Sequence, residues 1–148
     1  MRPLIISSLL AALLAAPFAM AQDASPVGLW KTIDDASGKP AALVRITEQK
    51  GEFQGRIEKL FRAADEDQNP KCVDCQDARK NQPIVGMTIM SGLHKNGDEY
   101  TGGEILDPKN GKVYKSKLTL RDGGKKAEVR GFVGVPMFGR SQVWLRQE

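Results

Sequence analysis

Apolar and polar residues alternate with a period of two along most of the chain, which is the spacing of half-buried β-strands and not of helices. Ala42, Val44 and Ile46 mark one face of a segment from Ala41 to Thr47, and Phe53, Gly55 and Ile57 alternate with Gln54, Arg56 and Glu58 from Glu52 to Leu60. Val85, Met87 and Ile89 repeat the pattern within Ile84 to Ser91. Val27 to Ile33, Glu99 to Leu106, Lys112 to Arg121, Lys126 to Gly134 and Phe138 to Arg146 bring the expected total to about eight strands.

The connectors are mostly short and carry turn chemistry. Lys50-Gly51, Asn96-Gly97-Asp98, Asp107-Pro108-Lys109-Asn110-Gly111 and Asp122-Gly123-Gly124 each offer a pre-set or left-handed backbone position. Short turns make sequential strands antiparallel neighbours, and eight of them form a meander that can close on itself. An all-β, antiparallel up-and-down barrel is the expected fold. A two-sheet sandwich needs longer crossings than most of those present. Gly28-Leu29-Trp30 opens the first strand and Arg140-Ser141-Gln142-Val143-Trp144-Leu145-Arg146 closes the last. Trp30 can plug one end, and an arginine such as Arg146 can stack on its face. One connector, residues 62–83, is long, polar and turn-rich, and it contains both cysteines.

The pattern leaves open which face looks inward. The last strand offers Val143 and Leu145 on one side and Phe138, Arg140, Gln142, Trp144 and Arg146 on the other, and the strand before it divides Val129, Gly131 and Val133 from Arg130 and Phe132. One face needs a cover. The long connector and a second chain, in a homodimer, are the candidates.

The first 21 residues read as a cleaved export signal: Met1-Arg2, an apolar run from Leu4 to Ala16, and a small-x-small site at Ala19-Met20-Ala21, with Gln22 as the mature start. The run is shorter than the ~20 residues of a membrane span, and nothing later is apolar enough to cross a bilayer. Residues 22–148 then form one domain. Removing Arg2 leaves 21 Lys+Arg against 18 Asp+Glu, a mild +3. Periplasmic or secreted location and scattered positives argue against nucleic acid as a partner. Lys112, Lys115, Lys117, Lys125 and Lys126 form a basic hairpin whose ordinary role is solvation, with contact to anionic envelope lipid as a secondary one.

No catalytic constellation is found. Gly-x-Ser-x-Gly, His-Glu-x-x-His and Ser-x-x-Lys are missing, and His94 has no carboxylate or nucleophile at a telling spacing. Cys72-Val73-Asp74-Cys75 has redox spacing but no βαβ unit beneath it. Haem attachment needs His where Gln76 stands, and zinc needs two more ligands. A disulfide stapling the connector is the expected role. Asp65-Glu66-Asp67-Gln68-Asn69 begins like a calcium loop, but Pro70 and Gln76 occupy its glycine and glutamate positions. No metal and no cofactor is therefore expected. Arg130 and Arg140, on neighbouring strands, would converge if they shared a face. With Phe132 and Trp144 as apolar walls they would suit a carboxylate or phosphate on an amphipathic molecule.

Several stretches resemble the small secreted bacterial proteins grouped as domain of unknown function 2147. They are Gly28-Leu29-Trp30, Gly55-Arg56-Ile57, Cys72-Val73-Asp74-Cys75, Pro83-Ile84-Val85-Gly86-Met87, residues 102–114, residues 129–134 and residues 139–146. The resemblance implies a lipocalin-like (calycin) barrel and export, and no established activity. Of the usual lipocalin signals, Gly28-Leu29-Trp30 fits the first, Arg140 or Arg146 the closing arginine, and the middle one is not found. Two functions follow as expectations. The first is binding of a small apolar or amphipathic ligand through Arg130, Phe132, Arg140 and Trp144. The second is an envelope interaction module with a stapled connector and no small-molecule ligand.

Overall fold

The computed structural model describes residues 24–148, so the expected signal and the Ala21–Gln22 junction lie outside the described residues. Eight strands follow one another: β1 (Gly28–Ile33), β2 (Pro40–Gln49), β3 (Glu52–Leu60), β4 (Thr88–Asn96), β5 (Glu99–Asp107), β6 (Lys112–Arg121), β7 (Lys126–Phe132) and β8 (Gly139–Arg146). Each pairs antiparallel with the next, and β1 pairs with β8, so the sheet is a closed barrel without edges. Among the described residues the only helical turn is the short 3-10 segment Asp122–Gly124.

Alternation decides the faces. Trp30, Val44, Ile46, Phe53, Ile57, Leu118, Ala127, Val129 and Trp144 point inward and form one buried cluster with Met90, Leu93 and Tyr100. Phe53 and Tyr100 meet edge to face, with ring centroids 4.9 Å apart. Each fully buried aliphatic side chain of this set is worth roughly 1.5–3 kcal/mol.

Several strand boundaries differ from the sequence reading: β2 covers Pro40–Gln49, not Ala41–Thr47, and β4 runs on to Asn96, not Ser91. β4 begins at Thr88, not Ile84, because Gly86 turns with φ 91° and Met87 N–H bonds back to Ile84 O. Its register also shifts against β3 between Gly55 and Arg56, so Ile89 and Met90 are both buried although consecutive. β7 ends at Phe132 and β8 begins at Gly139, which leaves Val133–Phe138 as a loop.

The two ends of the barrel are unlike. At one, β2–β3, β4–β5 and β6–β7 are joined by tight turns through Lys50-Gly51, Gly97-Asp98 and residues 122–125. At the other lie the longer connectors 34–39, 61–87, 108–111 and 133–138. The 61–87 connector is folded back on itself: Cys72 N–H bonds Gln82 O, Asn81 N–H bonds Cys72 O, and Lys71 bridges Pro83. Cys72 and Cys75 form a disulfide at its tip. Leu106 alternates with Ile105 and so points out of the lumen, yet it is 2% exposed and shares the core cluster with Cys72, Cys75 and Ile84. The connector therefore covers part of the outside of the barrel. Its tip lies so close to the β5–β6 turn that a Cβ at Gly111, which also needs φ 73°, would collide with the Asp74 carbonyl.

Replacing both cysteines with alanine should lower stability by about 2–4 kcal/mol, from lost cross-link entropy and lost packing. Urea unfolding of oxidised wild type against the double variant checks the value. A variant as stable as wild type would show that the staple is dispensable.

Candidate functional site at the connector-bearing end

The tight-turn end is sealed. The Arg146 guanidinium lies 4.3 Å from the Trp30 ring centroid. It donates to Gly124 O (2.6 Å), Val27 O (2.9 Å) and Ser25 O. Trp30 Nε1 donates to Pro26 O at 2.8 Å. Burial moves the Arg146 pKa below its ordinary value, but guanidinium remains charged. Each guanidinium nitrogen and the indole N–H donate within the fold, so Trp30 and Arg146 serve to close the barrel.

The inner face of β8 climbs from this seal as a ladder: Arg146, Trp144, Gln142, Arg140. Trp144, 1% exposed, donates from Nε1 to Gln142 Oε1 at 3.3 Å, and Gln142 donates to Asp35 at 3.2 Å. Arg140 stands at the mouth between Asp35 (3.6 Å) and Asp107 (3.8 Å). These pairs are long and exposed, each worth at most about 1 kcal/mol. The trio carries one net negative charge, and two carboxylates already occupy the guanidinium that an incoming carboxylate would need. Across the mouth, Lys109 pairs with Asp34 and holds its carboxyl far below the usual range.

The four residues expected to share a binding face do not come together. The β7–β8 register opposes Arg130 to Ser141 and Gly131 to Arg140. Arg130 and Phe132 are therefore on the outer surface, while Arg140 and Trp144 face the lumen. The convergence of two guanidiniums fails because the pleat puts diagonal neighbours one residue apart on opposite faces. Arg130 instead braces the neighbouring loop, donating to Pro136 O, to Gly139 O (3.2 Å) and to Ser141 Oγ (3.0 Å). Trp144 is core.

Two features were not singled out by sequence. Ser116 lies on the inner face of β6, level with Gly103 and Gly131, and is 1% exposed with no partner for its Oγ among the described residues. Its signal was in-phase placement between Tyr114 and Leu118. Second, the loop after β7 holds out Val133, Val135, Met137 and Phe138, at 66, 48, 76 and 69% exposure. It is a set structure: Val133 N–H bonds Phe138 O and Phe138 N–H bonds Val135 O. Its signal was a Val-Pro-Met-Phe run where a turn should be polar.

Cavities open on the outside of the barrel. One of about 420 Å3 lies where the long connector meets β4, between Arg79, Pro83, Val85 and Met87. Another of about 230 Å3 lies at the β2–β3 turn, beside Gln49, Lys50, Glu52 and Gln54. Beside the first, Arg79 grips Asp77 (2.6 Å) and the Thr88 carbonyl (3.0 Å). Among the described residues no group of three His, Cys, Asp or Glu side chains is placed to hold a metal ion.

Residues 28–146 match the model of DUF2147, a family described as uncharacterized protein conserved in bacteria. The chain belongs to that family. Among solved structures, this DUF2147 barrel is similar to protein HP1028 from the human pathogen Helicobacter pylori, which belongs to the lipocalin family. The TM-score is 0.72 at 20% identity, over 84% of this chain and 84% of that one. At that identity the likeness shows the fold, a lipocalin-like barrel. No curated protein matches the chain.

Arg146→Lys should cost about 2 kcal/mol, because an ammonium cannot serve three carbonyls and an indole face together; thermal unfolding measures it. The hydrogen bonds and charge of Arg79 hold the Asp77 pKa at about 2, below the ordinary 3.8. A depressed carboxylate stabilises the fold fully above pH 3.8 and loses that contribution as pH falls through about 2. Carboxyl NMR should place the Asp77 midpoint there in wild type and move it up toward 3.8 in Arg79→Ala, short of the full value because the backbone N–H of residue 79 still donates to the carboxylate.

Proposed function

We propose that the protein is an exported β-barrel that acts as a docking module through its connector-bearing end. The observation that carries the reading is the Val133–Phe138 loop, with four large apolar side chains held in water by a bonded loop backbone and an arginine brace. Contiguous exposed apolar residues of this kind mark contact sites, and a preformed loop loses little conformational entropy on binding. Export is supported by the apolar run from Leu4 to Ala16 and by the Cys72–Cys75 disulfide, which persists in oxidising compartments. Among the described residues no helix is long and apolar enough to cross a membrane.

A deep cargo hold is a poorer fit. Trp30, Trp144, Phe53, Tyr100, Met90, Leu93 and Leu118 belong to one buried cluster, and an eight-stranded barrel has room for side chains or one small ligand, not both. A second reading rests on Ser116. Its unpartnered hydroxyl lies on the inner face near the half-buried Ile105, Tyr114, Gly131 and Gln142, which we read as a shallow cup for a small uncharged amphipathic molecule. The carboxylates around Arg140 select against an anion.

A photo-crosslinking residue at position 138, in cells that export the protein, should form adducts that the same residue at position 50 does not. Equal yields at both positions would end the docking reading, and the mass of the adduct separates a second copy, another protein and a lipid. For the cup, Ser116→Ala should raise stability by about 1 kcal/mol if the hydroxyl is merely orphaned. If it binds a molecule, that molecule should appear in extracts of native-source wild type and vanish from the variant.

A further inference from the structure

We infer that the occupant of the Val133–Phe138 loop is an anionic lipid surface, an inference that rests on the docking reading above. The loop stands in open water: its four large apolar side chains are 48–76% exposed, and a Cβ added at Gly134 would meet nothing within 4 Å. The bonds between Val133 and Phe138 and the Arg130 brace already occupy backbone groups that would otherwise lose water on entering an apolar phase.

The charge pattern around the loop matches the depth order of a bilayer interface. From Val129 to Gln147 the sequence has no Asp or Glu and three arginines, Arg130, Arg140 and Arg146, and from Gly111 to Arg121 it again has no acid. Lys115 is level with Phe132, one strand row beneath the loop, and Lys112 begins the neighbouring strand at the same end. Among the described residues neither lysine has a carboxylate within ion-pair distance, whereas Lys117, further down, is held by Glu99 at 3.0 Å. Glu104 is level with Lys115 on β5 but makes no ion pair with it. Of the mouth carboxylates, Asp35 and Asp107 are held on Arg140, Asp107 being level with Lys112, and Asp74 lies with its backbone against Gly111 at the same turn. The acidic stretch Asp65–Asp67 belongs to the β3–β4 connector, four strands around an eight-stranded barrel and so on the far side. Apolar side chains at the tip with cations immediately behind them can insert at the acyl boundary while the cations meet anionic headgroups.

The test is co-sedimentation of the purified exported protein with vesicles of phosphatidylcholine alone and of phosphatidylcholine mixed with phosphatidylglycerol. Wild type should bind the anionic vesicles, and added salt should weaken it. Met137→Asp/Phe138→Asp should lower binding roughly tenfold or more with an unchanged melting temperature, since both side chains are in water. Lys112→Glu/Lys115→Glu should reduce binding to the level seen with phosphatidylcholine alone. Phe138→Trp should shift its emission to the blue on anionic vesicles. Wild type that ignores both vesicles, or aspartate variants that bind as wild type does, would overturn the inference. A protein adduct from position 138 without vesicle binding also overturns it but leaves docking intact; no adduct at all removes both.

Discussion

The stack of Arg146 on Trp30 is the contact on which the rest of the barrel depends. It joins the first strand to the last, and the β1–β8 seam has only two register pairs, Trp30 with Arg146 and Lys31 with Leu145. Backbone bonds from Leu29 to Glu148 and from Gln147 to Leu29 extend the seam. Gly28 makes this approach possible: with φ 145°, its missing Cβ leaves space that the Glu148 carbonyl fills. Without the seam, β1 and β8 would be two unpaired edges and the core would be open along one side. Arg45, which pairs with Glu58 and also reaches the Glu148 side chain at 2.7 Å, buttresses the same join from the outside.

That seal leaves one end available for contact, and the connectors there do different work. The 61–87 segment is turned into extra core by its disulfide and covers Leu106 on the outside of β5. The 34–39 and 108–111 connectors are tied together by Asp34 and Lys109. The 133–138 connector keeps four large apolar groups in water, where the much longer 61–87 connector exposes Val73 and, less fully, Phe61 and Val85. The lipocalin-like shape therefore comes with its interior largely spent on stability, and the proposed contact surface lies on the rim and not in the lumen.

Much of the fold was legible because a half-buried strand writes itself as alternation. Ala42-Val44-Ile46 and Phe53-Gly55-Ile57 point inward as the pattern required, and the turn chemistry of Lys50-Gly51 and Asp122-Gly123 fixed their neighbours. The reading was least accurate where a bulge or a positive-φ glycine resets the phase. Ile84 and Val85 look like strand but belong to a turn made by Gly86. Arg130 and Arg140 look like a pair when only their places on neighbouring strands are counted, whereas the register offsets them by one residue and so by one face. Ser116 and the Val133–Phe138 loop were visible as letters, but their meaning is three-dimensional: a hydroxyl is an orphan only when its surroundings are known, and an apolar run is exposed only when nothing folds over it.

Closure between first and last strands also sets an order of events. A chain that emerges N-terminal end first presents β1 without its second neighbour until β8 has followed, more than a hundred residues later. Hairpins such as β2–β3 can form early, but the seam is the longest-range pairing in the barrel, and such pairings form slowly. Trp30 stays without its lid throughout that interval. Before the seam forms, β1 and β8 are pairing surfaces for other chains, so the unfinished barrel is the state most exposed to aggregation and to chaperones.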